Sequence, residues 1–290
     1  MINLYRSPQY AHCFAEDFMP REIACAQGWA LERPIAPTGY TDFMGPYPLW
    51  YGENATKSQM VDCLRAHNAV SFVGVVLEGR QPKDWDYVAP FKTHYVTDLR
   101  QRSSVSKHHQ YEVRRAQRGG VDAKIVPLQE HIEDWIHLYA RLVDRHNMQG
   151  LTAFSPTYFQ RLAVCPELVT FAAFHHQELL AMHLFAMTDD TLTSHLAAST
   201  DRGYEMGAMY GVNATALAWA QAEGYRAVNW GGCAGAVDQL DGLAKFKQGF
   251  STTTQQSYIA GVVGLPEVYT QLCAAKTALN QPIFFPNYRR

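Results

Sequence analysis

The sequence has no CxxC and none of the paired cysteine spacings that zinc sites use, which speaks against a cysteine-held structural metal. Its six cysteines, Cys13, Cys25, Cys63, Cys165, Cys233 and Cys273, are scattered and read as reduced thiols. Apolar runs are short: none approaches the roughly 18–20 residues that span a bilayer. The first residues lack the apolar core of a signal peptide, because Tyr5, His12, Glu16 and Asp17 interrupt them. The reading is a cytoplasmic chain with no membrane span and no metal. Excess charge of one sign is also missing: the formal net charge is −2, so no global field draws in polyanions, and any such partner must meet a local patch.

Apolar material is plentiful. With 290 residues, 47% hydrophobic and 18% charged, the chain can bury a core large enough for two modest lobes. Residues 39–48 contain Gly39, Gly45, Pro46 and Pro48 among aromatics and are read as a loop, since each proline removes a donor and restricts its predecessor. Residues 55–68 have a helical pattern and run into a β-rich stretch, 70–77.

Residues 107–118 form a two-faced helix, with Lys107, Tyr111, Arg114 and Arg118 on one side and His109, Val113 and Ala116 on the other. Gly119 and Gly120 stop it. Between Arg100 and Arg118 six Lys or Arg residues face one acid, Glu112, which makes this the most positive part of the chain. A solvated helix face and a phosphate-facing patch are both open readings.

A strand at 121–126 ends at Pro127, taken as the boundary between an N-terminal lobe, 1–126, and a C-terminal lobe, 127–290. A helix over 129–145 and a shorter one over 156–163, capped by Ser155, follow. Three strands at 168–175, 179–187 and 192–199 have the short polar turns of an antiparallel meander. A long buried helix over 205–223 leads into a short strand, 227–230, and Gly231-Gly232. Helix, helix, three antiparallel strands, helix, strand is the order of GNAT acyltransferases.

Two segments carry a more specific resemblance. Tyr225-Arg226-Ala227-Val228-Asn229-Trp230-Gly231-Gly232, followed by Asp241-Gly242-Leu243-Ala244-Lys245-Phe246-Lys247-Gln248-Gly249-Phe250, resembles the strand, Gly-Gly turn and GL-x-x-FK-x-GF segment of FemAB-like transferases. The helix ending at Gly224 and the run Tyr111-Glu112-Val113-Arg114-Arg115-Ala116 are similar to elements of the same family, so the likeness covers about 105–255. It implies an α/β (α+β) fold of two GNAT-like lobes, the N-terminal one degenerate, with a mixed, mostly antiparallel sheet flanked by helices. Family members transfer amino acids from aminoacyl-tRNA to peptidoglycan precursors or small peptide-like metabolites, and distant relatives use acyl-coenzyme A. No charged heptad stretch between Lys124 and Pro166 is long enough for the coiled-coil arm of some cell-wall members.

The resemblance implies a transferase that forms an amide, with the acceptor end of aminoacyl-tRNA as donor partner, a small or peptide-like amine as acceptor and no tightly bound cofactor. Lys247 matches the family's lysine and is expected to hold a donor phosphate or stabilise charge at the reacting carbonyl. Phe246, Gly231, Gly232, Asn229, Arg114 and Arg115 are expected on the donor side, the glycines because they permit close backbone approach. The strands at 192–199 and 227–230 are expected to part and open the slot for the donor. Tyr40, Tyr47 and Trp50, in the aromatic loop beside a cleft between lobes, are expected to meet the acceptor.

His195 lies on a donor-side strand and is a candidate base. Asp241, with Asp238, flanks the lysine motif and is a second candidate for orienting or deprotonating the amine. A two-residue turn at Asp189-Asp190 would send His183 and His195 to opposite faces; a three-residue one would place them side by side. No GxSxG surrounds any serine, so direct transfer is preferred over an acyl-enzyme. In Arg202-Gly203-Tyr204-Glu205-Met206-Gly207, Glu205 stands where the coenzyme A motif wants its first glycine, which favours aminoacyl-tRNA as donor. An acyl-coenzyme A dependent N-acyltransferase and an inactive GNAT-like binding module are the alternatives.

Overall fold

The computed structural model describes residues 3–48, 55–101, 105–233, 242–274 and 285–289. The chain packs as two compact units, one of Met1–Leu4 with Thr93–Gln255 and one of Tyr5–Lys92 with Gln256–Arg290. Packing therefore divides the chain at 92/93 and 255/256, not at the expected 126/127, because the basic helix and the strand after it pack with residues that follow them.

In chain order the elements are α1 (Pro8–His12), β1 (Met19–Ile23), β2 (Gly28–Ile35), β3 (Tyr40–Met44), α2 (Lys57–Ala66), β4 (Ala69–Leu77), β5 (Tyr87–Asp98), α3 (Lys107–Arg118) and β6 (Val121–Ile125). There follow α4 (Ile132–His146), α5 (Pro156–Leu162), β7 (Leu168–His175), β8 (Glu178–Thr188), β9 (Thr191–Ser199), α6 (Asp201–Glu205) and α7 (Ala208–Ala222). The chain continues through β10 (Ala227–Asn229), α8 (Gly242–Gln248), β11 (Thr253–Val263) and α9 (Pro266–Ala274).

In the unit of Tyr5–Lys92 and Gln256–Arg290, β1, β2 and β3 form an antiparallel meander, β4 lies parallel to β3, and β11 pairs antiparallel with β4. The expected loop at 39–48 thus contains a strand: Tyr40–Met44 lies between the glycine and the prolines and buries Phe43 and Met44. Helix α2 starts with a capping box, Thr56 and Gln59 bonding each other's backbone N–H, and drives Met60 and Leu64 into a core with Phe72 and Ala260. The last rung of β3 on β4, Met44 with Val73, is closed by the Gly45 N–H, which donates to Val73 O at 2.9 Å.

The other unit repeats this order. Here β7, β8 and β9 form the meander, α7 follows, and β10 lies parallel to β9, with β6 beside β7 and the 96–98 part of β5 beside β10. A meander, a helix and a parallel strand appearing twice is the two-lobed GNAT-like α/β fold expected from the sequence, with mostly antiparallel pairing and flanking helices.

The core of this second unit joins Phe171, Phe185 and Val228 from the strands to Val212, Ala216 and Ala220 of α7, and α3 adds Ala116. The long helix expected over 205–223 is split. Gly207, at φ 68°, takes a left-handed conformation between α6 and α7, and Thr200 caps α6 by accepting the Gly203 N–H. Gly203 has no room for a side chain: an added Cβ would stand 2.1 Å from Leu180 O.

Candidate active site

The β8–β9 hairpin turns on two residues, Asp189 and Asp190, because Thr188 pairs with Thr191. Phe185 pairs with Ser194 and Leu184 with Leu196, which leaves His195 as the extra residue of a β-bulge. With two turn residues, His183 and His195 go to opposite faces. The His195 imidazole Nε2 lies 2.9 Å from the Tyr158 hydroxyl of α5, whereas His183 faces α7.

Three parallel rungs join β10 to β9, the last between Asn229 and Thr193. Beyond it β10 stays with β5, as Trp230 N–H donates to Tyr95 O at 2.9 Å and Tyr95 N–H to Gly231 O at 3.3 Å. Strand β9 runs on to Ser199 paired with β8. The two parallel neighbours share no rung beyond Asn229, which leaves a gap in the pairing between β9 and residues 230–232. In the other unit the parallel pair β3 and β4 ends at the rung between Met44 and Val73, closed by the Gly45 N–H donating to Val73 O.

Asn229, 1% exposed, shapes the mouth of the gap. Its Oδ1 accepts the Gly231 N–H at 2.8 Å and lies 3.2 Å from His94 Nδ1. Gly231 turns the chain at φ 74°. The Lys247 ammonium donates to Gly232 O at 2.5 Å, and its Nζ lies 3.5 Å from where a Gly231 Cβ would stand. The structure thus brings together Asn229, Gly231, Gly232 and Lys247, four residues singled out from the sequence.

Helix α8 is braced by a buried histidine of α3. His109 Nε2–H donates to Phe246 O at 2.8 Å, and the Ser106 hydroxyl, which caps α3, lies 3.0 Å from Nδ1. Burial pushes the His109 imidazole down in pKa, which keeps it neutral. Around it pack Tyr210, Phe246 and Phe250, with ring centres 4.7–5.7 Å from the imidazole. Phe246, expected to stack on a donor ring, is half-buried and packs in this aromatic cluster beside the backbone from which Lys247 projects.

On the α7 face, His183 Nδ1 is 2.8 Å from Asn213 Oδ1 and Nε2 is 2.8 Å from Ser194 Oγ. His183 and Asn213 are buried; Ser194 is partly exposed. Burial drives both His183 and His195 down to about 3, and the Lys247 charge pushes His183 the same way. His195, on the opposite face against Tyr158, is not brought to Lys247.

The two arginines have different surroundings. Arg115 Nε is 2.8 Å from Glu112, and its guanidinium also donates to Glu205 O at 3.4 Å, so it ties α3 to the end of α6. Arg114 is exposed and lines a shallow depression with Tyr111, Gln117 and Arg118. Tyr40 packs in a small cluster with Ile35 and Val70, and Tyr47 O accepts the Tyr10 hydroxyl at 2.5 Å; both lie in the other unit. Trp50, Asp238 and Asp241 lie outside the described residues. The sequence reading missed Ser194 and Asn213. The signals were there, a serine just beyond β9's shared rungs and a buried amide inside an apolar helix, but only the pairing register joins them.

Residues 167–264, which contain the gap, Gly231-Gly232 and Lys247, match the model of the FemAB family. No curated protein matches the sequence. Among solved structures, the crystal structure of FemX superposes with a TM-score of 0.66 at 11% identity, over 92% of this chain and 94% of that one. The structure of L-PGS from Bacillus licheniformis gives 0.60 at 14% identity, over 91% and 95%. At such identities the likeness establishes the fold. The chain is FemAB-like in its 167–264 segment and FemX-like in architecture.

Proposed function

We propose that this FemAB-like chain is an acyltransferase that moves an aminoacyl group from aminoacyl-tRNA to the amine of a small or peptide-like acceptor, forming an amide. The observation that carries the reading is the parting of β10 from β9 at Asn229, with the Lys247 ammonium held over Gly231-Gly232 at the mouth of the gap. Acyl transfer needs an ester carbonyl whose face is open to a neutral amine and positive charge where the oxyanion develops. In this reading the gap takes the activated acyl end, Gly231 and Gly232 let it approach the backbone, and Lys247 faces the oxyanion or the donor's phosphate. Tyr40, Tyr47 and Trp50 are assigned to the acceptor.

Charge distribution supports RNA as the donor's carrier. The exposed face of α3 presents Lys107, Arg114 and Arg118 beside an exposed Tyr111, the combination of cations and an aromatic plane that suits a nucleic-acid end. The turn where a coenzyme pyrophosphate would lie has Glu205 in place of glycine, and the Glu112 carboxylate stands 3.7 Å from the Cβ position of Gly207. The Arg115 guanidinium, 3.4 Å from the same position, is taken up by the Glu112 carboxylate, so the departure that counts against a pyrophosphate is Glu205 in the place of a glycine. Charged tRNA is cytoplasmic, and so, in this reading, is the chain. Among the described residues no helix is long and apolar enough to cross a membrane.

The test is incubation with charged tRNA or with acyl-coenzyme A and a panel of amines. Amide formation from charged tRNA that ribonuclease abolishes supports the reading. Turnover that survives ribonuclease, or that needs acyl-coenzyme A, replaces it with the coenzyme-dependent alternative. No turnover with either donor leaves a binding module.

A further inference from the structure

Ser194 is the first residue of β9 beyond the last rung shared with β10, so it stands where the gap begins. Behind it is a chain of buried polar groups: Ser194 Oγ to His183 Nε2 at 2.8 Å, and His183 Nδ1 to Asn213 Oδ1 at 2.8 Å. An amide oxygen can only accept, so Nδ1 carries the imidazole proton and donates it to Asn213. A neutral imidazole protonated at Nδ1 has a bare Nε2, and the Ser194 hydroxyl hydrogen is the donor to it. With that hydrogen fixed, Ser194 Oγ offers the gap only lone pairs.

The arrangement has the serine–base–orienter order of a nucleophilic triad, yet its electrostatics differ. The orienting group is an amide, which supplies no charge to balance an imidazolium. The site is buried, and the Lys247 charge acts on the same imidazole, so a proton on both ring nitrogens is opposed twice. His183 holds the direction of the serine hydroxyl and does not take its proton.

We infer that Ser194 receives the acceptor amine, its Oγ accepting one N–H so that the nitrogen lone pair turns toward the donor carbonyl. The inference rests on the acyl-transfer reading above. In the step the amine nitrogen bonds to the acyl carbon, the ester C–O bond breaks, and one amine proton ends on the leaving ribose oxygen. Ser194 keeps its own proton directed at His183 throughout. Ser194 touches substrate; His183 and Asn213 are positioning residues.

Two measurements on the full chain decide the matter. Nitrogen NMR of protein labelled in histidine, with His183 identified from the His183→Gln variant, is expected to show a neutral ring protonated at Nδ1 from pH 7 to pH 5 (roughly the window in which an ordinary histidine titrates). A ring protonated at Nε2, or an imidazolium in that window, overturns the inference whatever the donor proves to be. In steady-state kinetics with mixed charged tRNA as donor and glycylglycine as amine probe, Ser194→Ala is expected to raise the amine KM about 3- to 10-fold, the loss of one hydrogen bond. The donor KM stays unchanged, and Ser194→Thr restores the amine KM. An unchanged amine KM in Ser194→Ala, or an acyl group found on Ser194 by mass spectrometry when amine is withheld, overturns it. A chain that transfers nothing from charged tRNA sinks the acyl-transfer reading alone, and the nitrogen spectra still decide the direction of the hydroxyl.

Discussion

Gly249 lies flat against the His109 imidazole: a Cβ on it would stand 2.0 Å from Cε1 and 2.3 Å from both ring nitrogens. His109 is itself bonded to Phe246 O and Ser106, so the ring cannot move aside without breaking the brace of α8. Gly249→Ala is therefore expected to destabilise the chain by about 1–3 kcal/mol through overpacking. Urea unfolding checks this. Pairing it with His109→Ala, which empties the space, should recover part of the loss, because residues in contact are coupled.

Lys247→Ala removes the charge held over Gly231-Gly232 and should lower kcat roughly 100- to 1000-fold, the effect of losing one oxyanion-stabilising donor. Circular dichroism and the unfolding midpoint should change little, because the ammonium is only half buried. Lys247→Arg keeps the charge but not the point geometry and should recover part of the rate. Full activity in Lys247→Ala would remove the residue from the mechanism.

If the exposed face of α3 tracks an RNA backbone, Arg114→Gln with Arg118→Gln should weaken tRNA binding and flatten its salt dependence by about 1 to 2 units of the log–log slope. Filter binding or fluorescence titration at several salt concentrations reads this directly. Arg115→Gln should act differently, on stability, since its guanidinium already bonds Glu112 and the carbonyl of Glu205.

Acid should destabilise the fold in a defined window. Above the ordinary histidine value of 6.5, His183 and His195 are neutral in both the folded and the unfolded chain and contribute no pH dependence. As pH falls from there, the unfolded chain takes protons that the folded chain refuses until about 3, so stability falls with pH throughout that interval. The slope is on the order of 1 kcal/mol per pH unit for each buried histidine. Urea unfolding at pH 7, 6 and 5 should show it, and His195→Gln should flatten it.

Much of this architecture was legible where one periodicity held. Helix α3 and strand β7 fall on their expected residues, 107–118 and 168–175, because a 3.6-residue repeat runs unbroken through the helix and a short, continuous apolar run marks the strand. Gly207 broke the expected long helix at a position where pattern alone does not tell a tolerated glycine from a left-handed turn. Residues 40–44 looked like loop because flanking glycine and proline masked a five-residue strand.

The site divided in the same way. Lys247 and the two glycines sit within one continuous motif, so a local resemblance found them. Ser194, His183 and Asn213 come from β9, β8 and α7 and meet only through the two-residue turn and the bulge at His195. A register shift of one residue would have sent Ser194 to the other face, and nothing local to the sequence fixes that register.

The backbone enters one unit at residue 93 and leaves it at 255, in the middle of its partner's sequence. On a ribosome, all of Thr93–Gln255 is synthesised before the strand that pairs with β4 exists. The nascent chain then holds a complete unit carrying the candidate site and an unfinished one whose β4 edge, Ser71 to Leu77, awaits residues 257–263. An open strand edge is adhesive, so truncation or stalling near residue 255 should yield a species that self-associates, although Asn229, Gly231, Gly232 and Lys247 have all been synthesised.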